Sequence, residues 1–173
     1  IQPGSFLLAV AATNGSSGFT DADEGKAVTA HADFRRSFSD LHLWYGVSGR
    51  FNKVSSLEDR LGGVYGGITY QKFSLLGEAD YRSQKAGSQE VKSMATFLEL
   101  SWLLRPGLTL RLEQDYFDPD LDLQTGSENM YILGAEIVPT GFLQVIPNAR
   151  FHDREPGSSQ DYYEFEVQLH LFY

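Results

Sequence analysis

Residues 162–173 read Tyr162-Tyr163-Glu164-Phe165-Glu166-Val167-Gln168-Leu169-His170-Leu171-Phe172-Tyr173. Every second residue from Tyr163 to Tyr173 is aromatic or aliphatic, and most of those between are Glu, Gln or His. A β-strand turns successive side chains to opposite faces. As a strand, this segment has one continuous apolar face and one that carries ionisable groups. A soluble sheet could use that pattern with its apolar face turned inward. The alternation, however, recurs about ten times along the chain, which closes on an aromatic residue. This combination predicts an all-β fold: an antiparallel, up-and-down transmembrane β-barrel whose apolar face meets lipid and whose polar face lines the interior.

Composition narrows the alternatives. The 173 residues make one domain, 1–173, or a portion of one barrel. A formal net charge of −9 and a pI near 4.8 argue against a nucleic-acid partner. The mean hydropathy of −0.28 excludes a helical membrane protein. The longest apolar run, Phe6–Ala12, falls far short of the roughly 20 residues a membrane helix needs. A barrel escapes that requirement because only alternate residues face lipid. With no cysteine, neither a disulfide framework nor a thiolate metal site exists. No basic n-region with an apolar h-region opens the sequence, so the reading expects a mature form or a truncated piece.

Turn signals place strands at roughly 5–13, 26–37, 41–53, 61–71, 73–84, 91–104, 108–117, 129–139, 142–152 and 162–173. Short connections (Phe38-Ser39-Asp40, Gln71-Lys72, Arg105-Pro106-Gly107, Thr140-Gly141) alternate with longer ones. The longer ones are Thr13–Gly25, Lys53–Asp59, Lys85–Glu90, Asp118–Glu128 and Asp153–Asp161. Short turns on one side and long loops on the other describe an outer-membrane barrel, with periplasmic turns and extracellular loops. Aromatic residues sort by height into a girdle: Tyr70, Phe73, Trp102 and Tyr173 toward the turns, and Phe51, Tyr81, Tyr116, Tyr131, Phe151 and Tyr163 toward the loops. Tyr163 and Tyr173 are ten residues apart, about 33 Å along a strand. A tilt near 40° projects this onto about 25 Å, the height of a barrel's apolar band.

The ending Leu169-His170-Leu171-Phe172-Tyr173 resembles the C-terminal targeting strand of Gram-negative outer-membrane barrels. The stretch Leu110-Arg111-Leu112-Glu113-Gln114-Asp115-Tyr116-Phe117-Asp118 is similar to the penultimate hairpins of porin-like proteins. The resemblance covers the architecture of the whole chain. It implies the bacterial outer membrane, its lipid and lipopolysaccharide as surroundings, and the barrel assembly machinery as a partner of the last strand. It names a superfamily and no substrate.

The polar face carries the functional candidates. Arg35, Arg50, Arg82, Arg111 and Arg150 share it with Asp33, Glu78, Asp80, Glu113, Glu136, Glu164 and Glu166. Cross-strand pairs among Arg111, Glu136, Arg150 and Glu164 or Glu166 stabilise the ladder and give a polar lumen. Acids outnumber arginines, so conduction would favour cations or neutral solutes. His31, His42, His152 and His170 lie on different strands without metal-ligand spacing. Asp118, Asp120 and Asp122 alternate as carboxylates do in calcium loops, but without the glycine and glutamate of an EF-hand. They read as solvated acids that bind divalent ions loosely, and neither a metal centre nor a cofactor is expected.

The expected function is passive, porin-like diffusion of small hydrophilic solutes, without catalysis. One alternative is a structural sheath around a periplasmic or lumenal partner, such as a cytochrome. As the chain has no CxxCH motif, any haem would belong to that partner. A second alternative is a small plugged barrel with a protease site at the rim, built from His152 with Asp153, Asp118 or Asp120. Gln2-Pro3-Gly4 resembles an internal turn, so the chain also reads as the C-terminal part of a larger barrel.

Overall fold

A computed structural model describes residues 4–14, 25–155 and 160–172. It contains ten strands: β1 (Ser5–Asn14), β2 (Lys26–Phe38), β3 (Leu41–Val54), β4 (Leu57–Tyr70), β5 (Phe73–Ala86), β6 (Gln89–Arg105), β7 (Leu108–Asp118), β8 (Glu128–Thr140), β9 (Leu143–Arg154) and β10 (Tyr162–Leu171). They form one antiparallel sheet in the order of the chain, so every connection is a hairpin. Among the described residues no helix is long and apolar enough to cross a membrane. Tyr173 and the loop acids Asp21, Asp23 and Glu24 lie outside the described residues.

One row of paired residues crosses the entire sheet. It runs Phe6, Phe34, Tyr45, Gly66, Gly77, Leu98, Gln114, Tyr131, Phe151 and Tyr163. Directly opposed residues share a face, so this row fixes the face of every side chain in the sheet. The row leaves the turn-side end of β1 and reaches the loop-side end of β10. The strands have therefore slid past one another by nearly a strand length, the stagger that accompanies strand tilt.

The loops differ from expectation in two places. Lys53–Asp59 and Lys85–Glu90 are tight hairpins, turning at Ser55-Ser56 and Gly87-Ser88, and their charged residues belong to the strands. Ser55 and Gly87 take positive φ (52° and 62°), which the tight turns require. Serine is an uncommon choice there, so the sequence carries no turn signal at Ser55. The β8–β9 register shifts between Ile137 and Thr140, where Pro139 has no N–H to give the ladder.

Packing on the polar face uses small residues to seat large ones. Trp44 and Gly67 are direct partners across β3 and β4, as are Gly46 and Tyr65. Each ring lies over the opposing glycine, and the two rings meet at 6.0 Å. A Cβ on Gly46 would stand 2.5 Å from the Tyr65 ring and 2.7 Å from the Ala32 carbonyl oxygen, whereas one on Gly49 would meet nothing closer than 3.7 Å. Gly46→Ala is expected to cost about 1–3 kcal/mol by overpacking, and Gly49→Ala less than about 0.5 kcal/mol. Urea unfolding of the two variants checks this difference.

Candidate functional site

The two faces of the sheet have opposite chemistry. On one, Phe165 (82% exposed), Tyr163 (73%) and Val10 (67%) stand uncovered, together with Leu98, Leu112 and Leu133. The other holds the buried polar groups Asp33, Asp59, Asn148 and His152, none more than 9% exposed. Ala27 and Ile132 are the only buried hydrophobic residues among those described. A soluble sheet covers its apolar side chains; here the polar side is the sheltered one.

Strand pairing puts all the expected charged candidates on the sheltered face. Asp33 and Glu78 stand in one row of partners with Gly46, Tyr65, Phe97 and Asp115; Arg35, Glu113, Arg150 and Glu164 stand in the next. Arg50 and Arg82 both pair with Leu61, Asp80 pairs with Gly63, Arg111 with Gly134, Glu136 with Thr109, and Glu166 with Asn148. Their partnerships differ in part from those expected. Arg150 bridges Glu164 (3.2 Å) and Glu166 (2.5 Å) on β10. Arg111 lies 3.8 Å from Glu99 and 3.7 Å from Glu113, and it donates to Asn148. Arg82 binds Asp59 through two hydrogen bonds, 2.7 and 3.2 Å, in place of Glu78 or Asp80. Glu136 accepts from Gln144, and Arg35 and Arg50 make no ion pair among the described residues.

Three groups escaped the sequence reading. Turn signals put Asp59 in a loop, whereas β4 begins at Leu57 and its alternation sets Asp59 beside Arg82. Tyr65 donates to Asp33 at 2.5 Å, and His31 lies 3.1 Å from the same carboxylate. Near the loops, Glu128 contacts His152 Nδ1 at 2.5 Å and Arg154 Nε at 3.0 Å, while the His152 ring stacks on Tyr162 at 4.1 Å. His152 Nε2 has no hydrogen-bond partner and lies 3.7 Å from Glu164. The imidazole is thus oriented by Glu128, with no ion pair to Asp153, Asp118 or Asp120.

The loop acids are occupied locally. Asp118 accepts hydrogen bonds from the Asp120 amide (3.0 Å) and from Tyr116 (3.1 Å), Asp120 accepts from the Asp122 amide (3.2 Å), and Asp122 lies 3.5 Å from Lys92. Among the described residues no group of three or more His, Cys, Asp or Glu is placed to hold a metal ion.

The aromatic residues on the exposed face form two bands. Tyr70, Phe73 and Trp102 are consecutive partners, with Phe73 stacked on Trp102 at 5.6 Å. Tyr131, Phe151 and Tyr163 are consecutive partners too, with ring centroids 6.4 and 4.9 Å apart. Through Tyr116 and Tyr81 to Phe51 the second band climbs six residues over five strands. At about 3.3 Å per residue and about 4.8 Å per strand, that is a slope of about 40° to the hydrogen bonds, close to the strand tilt of barrels. No protein-family model matches the chain, and no curated protein matches it.

Glu128 lies three residues beyond Tyr131 on the loop side. Its hydrogen bond with His152, then that with Arg154, hold the carboxyl below its usual range. A depressed carboxylate contributes stability that is present above its unfolded value and is lost as pH falls through its folded value. Glu128→Gln is therefore expected to lower stability at pH 7 and to flatten the acid limb of a stability–pH curve. An unchanged acid limb would show that this cluster contributes nothing.

Proposed function

We propose that the chain forms the wall of a porin-like outer-membrane β-barrel, which passes small hydrophilic solutes by diffusion. The observation that carries this reading is the inversion of the faces: exposed apolar side chains on one side, sheltered charges on the other. Lipid is the solvent that makes such an arrangement stable, because the exposed face loses nothing in hydrocarbon while the polar face keeps its water. The two aromatic bands support it, since tyrosine and tryptophan settle at membrane–water interfaces. Across the polar face Asp33, Asp59, Glu78, Asp80, Glu99, Glu113, Asp115, Glu136, Glu164 and Glu166 accompany Arg35, Arg50, Arg82, Arg111 and Arg150, an excess of acid that favours cations.

Planar-bilayer recording tests the channel. Discrete ohmic steps with a reversal potential on the cation side of zero are expected under a potassium chloride gradient, and a shift further to that side in Arg150→Met. A silent protein, or an anion-side potential, contradicts the reading. The sheath alternative keeps one support. Cα atoms of β1 and β10 nowhere approach within 8 Å, so the polar face is open enough to receive a partner. Silence in the bilayer together with co-purification of a haem protein would favour it.

The face assignment has its own test. Leu98 lies four residues from Trp102, between the two bands, and is 48% exposed. Leu98→Arg is expected to cost about 2–4 kcal/mol in a bilayer, and Ser101→Arg, on the polar face, much less. Equal penalties in vesicles would remove the assignment.

A further inference from the structure

The chain has five lysines, and four of them, Lys26, Lys53, Lys85 and Lys92, stand at the loop-side ends of β2, β3, β5 and β6. Alternation turns all four to the apolar face, and it turns Arg60 of β4 there too. No lysine falls on the polar face, whose cations are arginines. Lys26 and Lys53 lie one position past the Ala27–Asn52 pair. Lys53, Glu58, Lys85 and Glu90 are consecutive partners, and so are Phe51, Arg60, Ser83 and Lys92. These two rows lie two residues apart on one face, about 7 Å.

The cations stand just beyond the loop-side aromatic band. Lys53 is two residues past Phe51, and Lys85 is four past Tyr81. At a tilt near 40° those steps are about 5 and 10 Å. That is the level of lipid headgroups, a layer about 5–8 Å thick on each side of the hydrocarbon. Turnward of this rim the outward residues of β3, β4 and β5 carry no charge. The tight hairpins at Ser55-Ser56 and Gly87-Ser88 hold here the charges that a long loop would have carried into water.

This rim is positive in a chain of net charge −9. Its five cations face Glu58 and Glu90 on the same rim and Asp122 from the loop after β7. Lys53 and Lys85 make no ion pair among the described residues. Arg60 pairs with Glu58 while its guanidinium stands 5.8 Å from the centre of the Phe51 ring, and Lys92 lies 3.5 Å from Asp122. Exposed pairs of this kind hold their members weakly, so an arriving phosphate can share them. From β7 to β9 the same face ends in Asp118, Asn129 and Asp153, without a cation.

On the membrane reading above, we propose that the rim of β2–β6 binds the phosphate groups of anionic lipids in the loop-side leaflet, and that the rim of β7–β9 does not. Lysine suits this role. Its methylenes lie along the apolar face while its ammonium, a compact charge on a flexible stem, reaches up to the headgroups. Each cation held near an anionic surface strengthens the attraction about fivefold.

The two halves of the rim supply their own comparison. Tyr81→Trp and Tyr131→Trp, each in the full chain with Trp44→Phe and Trp102→Phe, put a single fluorophore beneath each half. Both are folded into vesicles of phosphatidylcholine and phosphatidic acid, with bromine on the acyl chains of one lipid or the other at equal mole fraction. Brominated phosphatidic acid is expected to quench the Tyr81→Trp reporter severalfold more than brominated phosphatidylcholine does, and the Tyr131→Trp reporter no more. Lys53→Gln, Arg60→Gln, Lys85→Gln and Lys92→Gln together should remove the excess, whereas Lys53→Arg, Lys85→Arg and Lys92→Arg should keep it. An equal excess at both positions, no excess at Tyr81→Trp, or an excess that survives the glutamine substitutions overturns the proposal. The comparison of the two reporters stands even if the glutamine variant does not fold. The levels also separate: no quenching by brominated phosphatidylcholine at either position defeats the membrane reading, whereas quenching by it without preference for phosphatidic acid defeats only the lipid site.

Discussion

A β-strand gives each residue one of two faces and leaves no intermediate choice, so strand pairing decides the chemistry of both surfaces at once. The row from Phe6 to Tyr163 carries that decision across ten strands without a break. A slip of one residue in any hairpin would turn every later strand over; in the β9–β10 hairpin it would move Glu164 and Glu166 onto the face of Tyr131 and Phe151. The tight turns at Ser39-Asp40, Ser55-Ser56, Gln71-Lys72 and Gly87-Ser88 hold the register locally. The ion pairs of Arg82 with Asp59 and of Arg150 with Glu164 and Glu166 reward it across strands.

From that constraint the rest follows in order. With the faces fixed, most apolar side chains collect on one surface and most charged ones on the other, where Trp44, Leu61, Phe97 and Ile132 pack among them. The charged side is then crowded enough to shelter Asp33, Asp59 and His152, each of which has a partner: Tyr65, Arg82 and Glu128 respectively. Exposed arginine–carboxylate pairs contribute little to stability, but these pairs position the guanidiniums and leave a net excess of carboxylate on the face.

Much of the fold was legible in the sequence because period two is a local signal. The segment 162–173 announces its two faces residue by residue, and the limits of β3, β7 and β9 fall within two residues of those read from turn signals. What the sequence concealed was set by turns and by neighbours. The Ser55-Ser56 hairpin has no Gly or Asn to mark it, so Glu58 and Asp59 read as part of a loop, Lys53–Asp59, and are in fact strand. Partner choice was equally hidden. Arg82 lies on the same strand as Glu78 and Asp80, yet bonds to Asp59 on the next. Glu128 reaches His152 only because β8 and β9 pair as they do. Alternation tells which face a side chain takes, and only the register tells which side chain it meets.

The central claim is that the exposed face meets lipid and the sheltered face meets water. The chain has two tryptophans, and the faces divide them: Trp102 lies on the exposed face against Phe73, and Trp44 on the sheltered face over Gly67. Single-tryptophan variants, Trp44→Phe and Trp102→Phe, can be folded into vesicles of phosphatidylcholine with brominated acyl chains and also exposed to aqueous iodide. The account predicts that bromine quenches Trp102 strongly and Trp44 weakly, and that iodide does the reverse. Equal quenching of the two by bromine, or stronger quenching of Trp44, would contradict it.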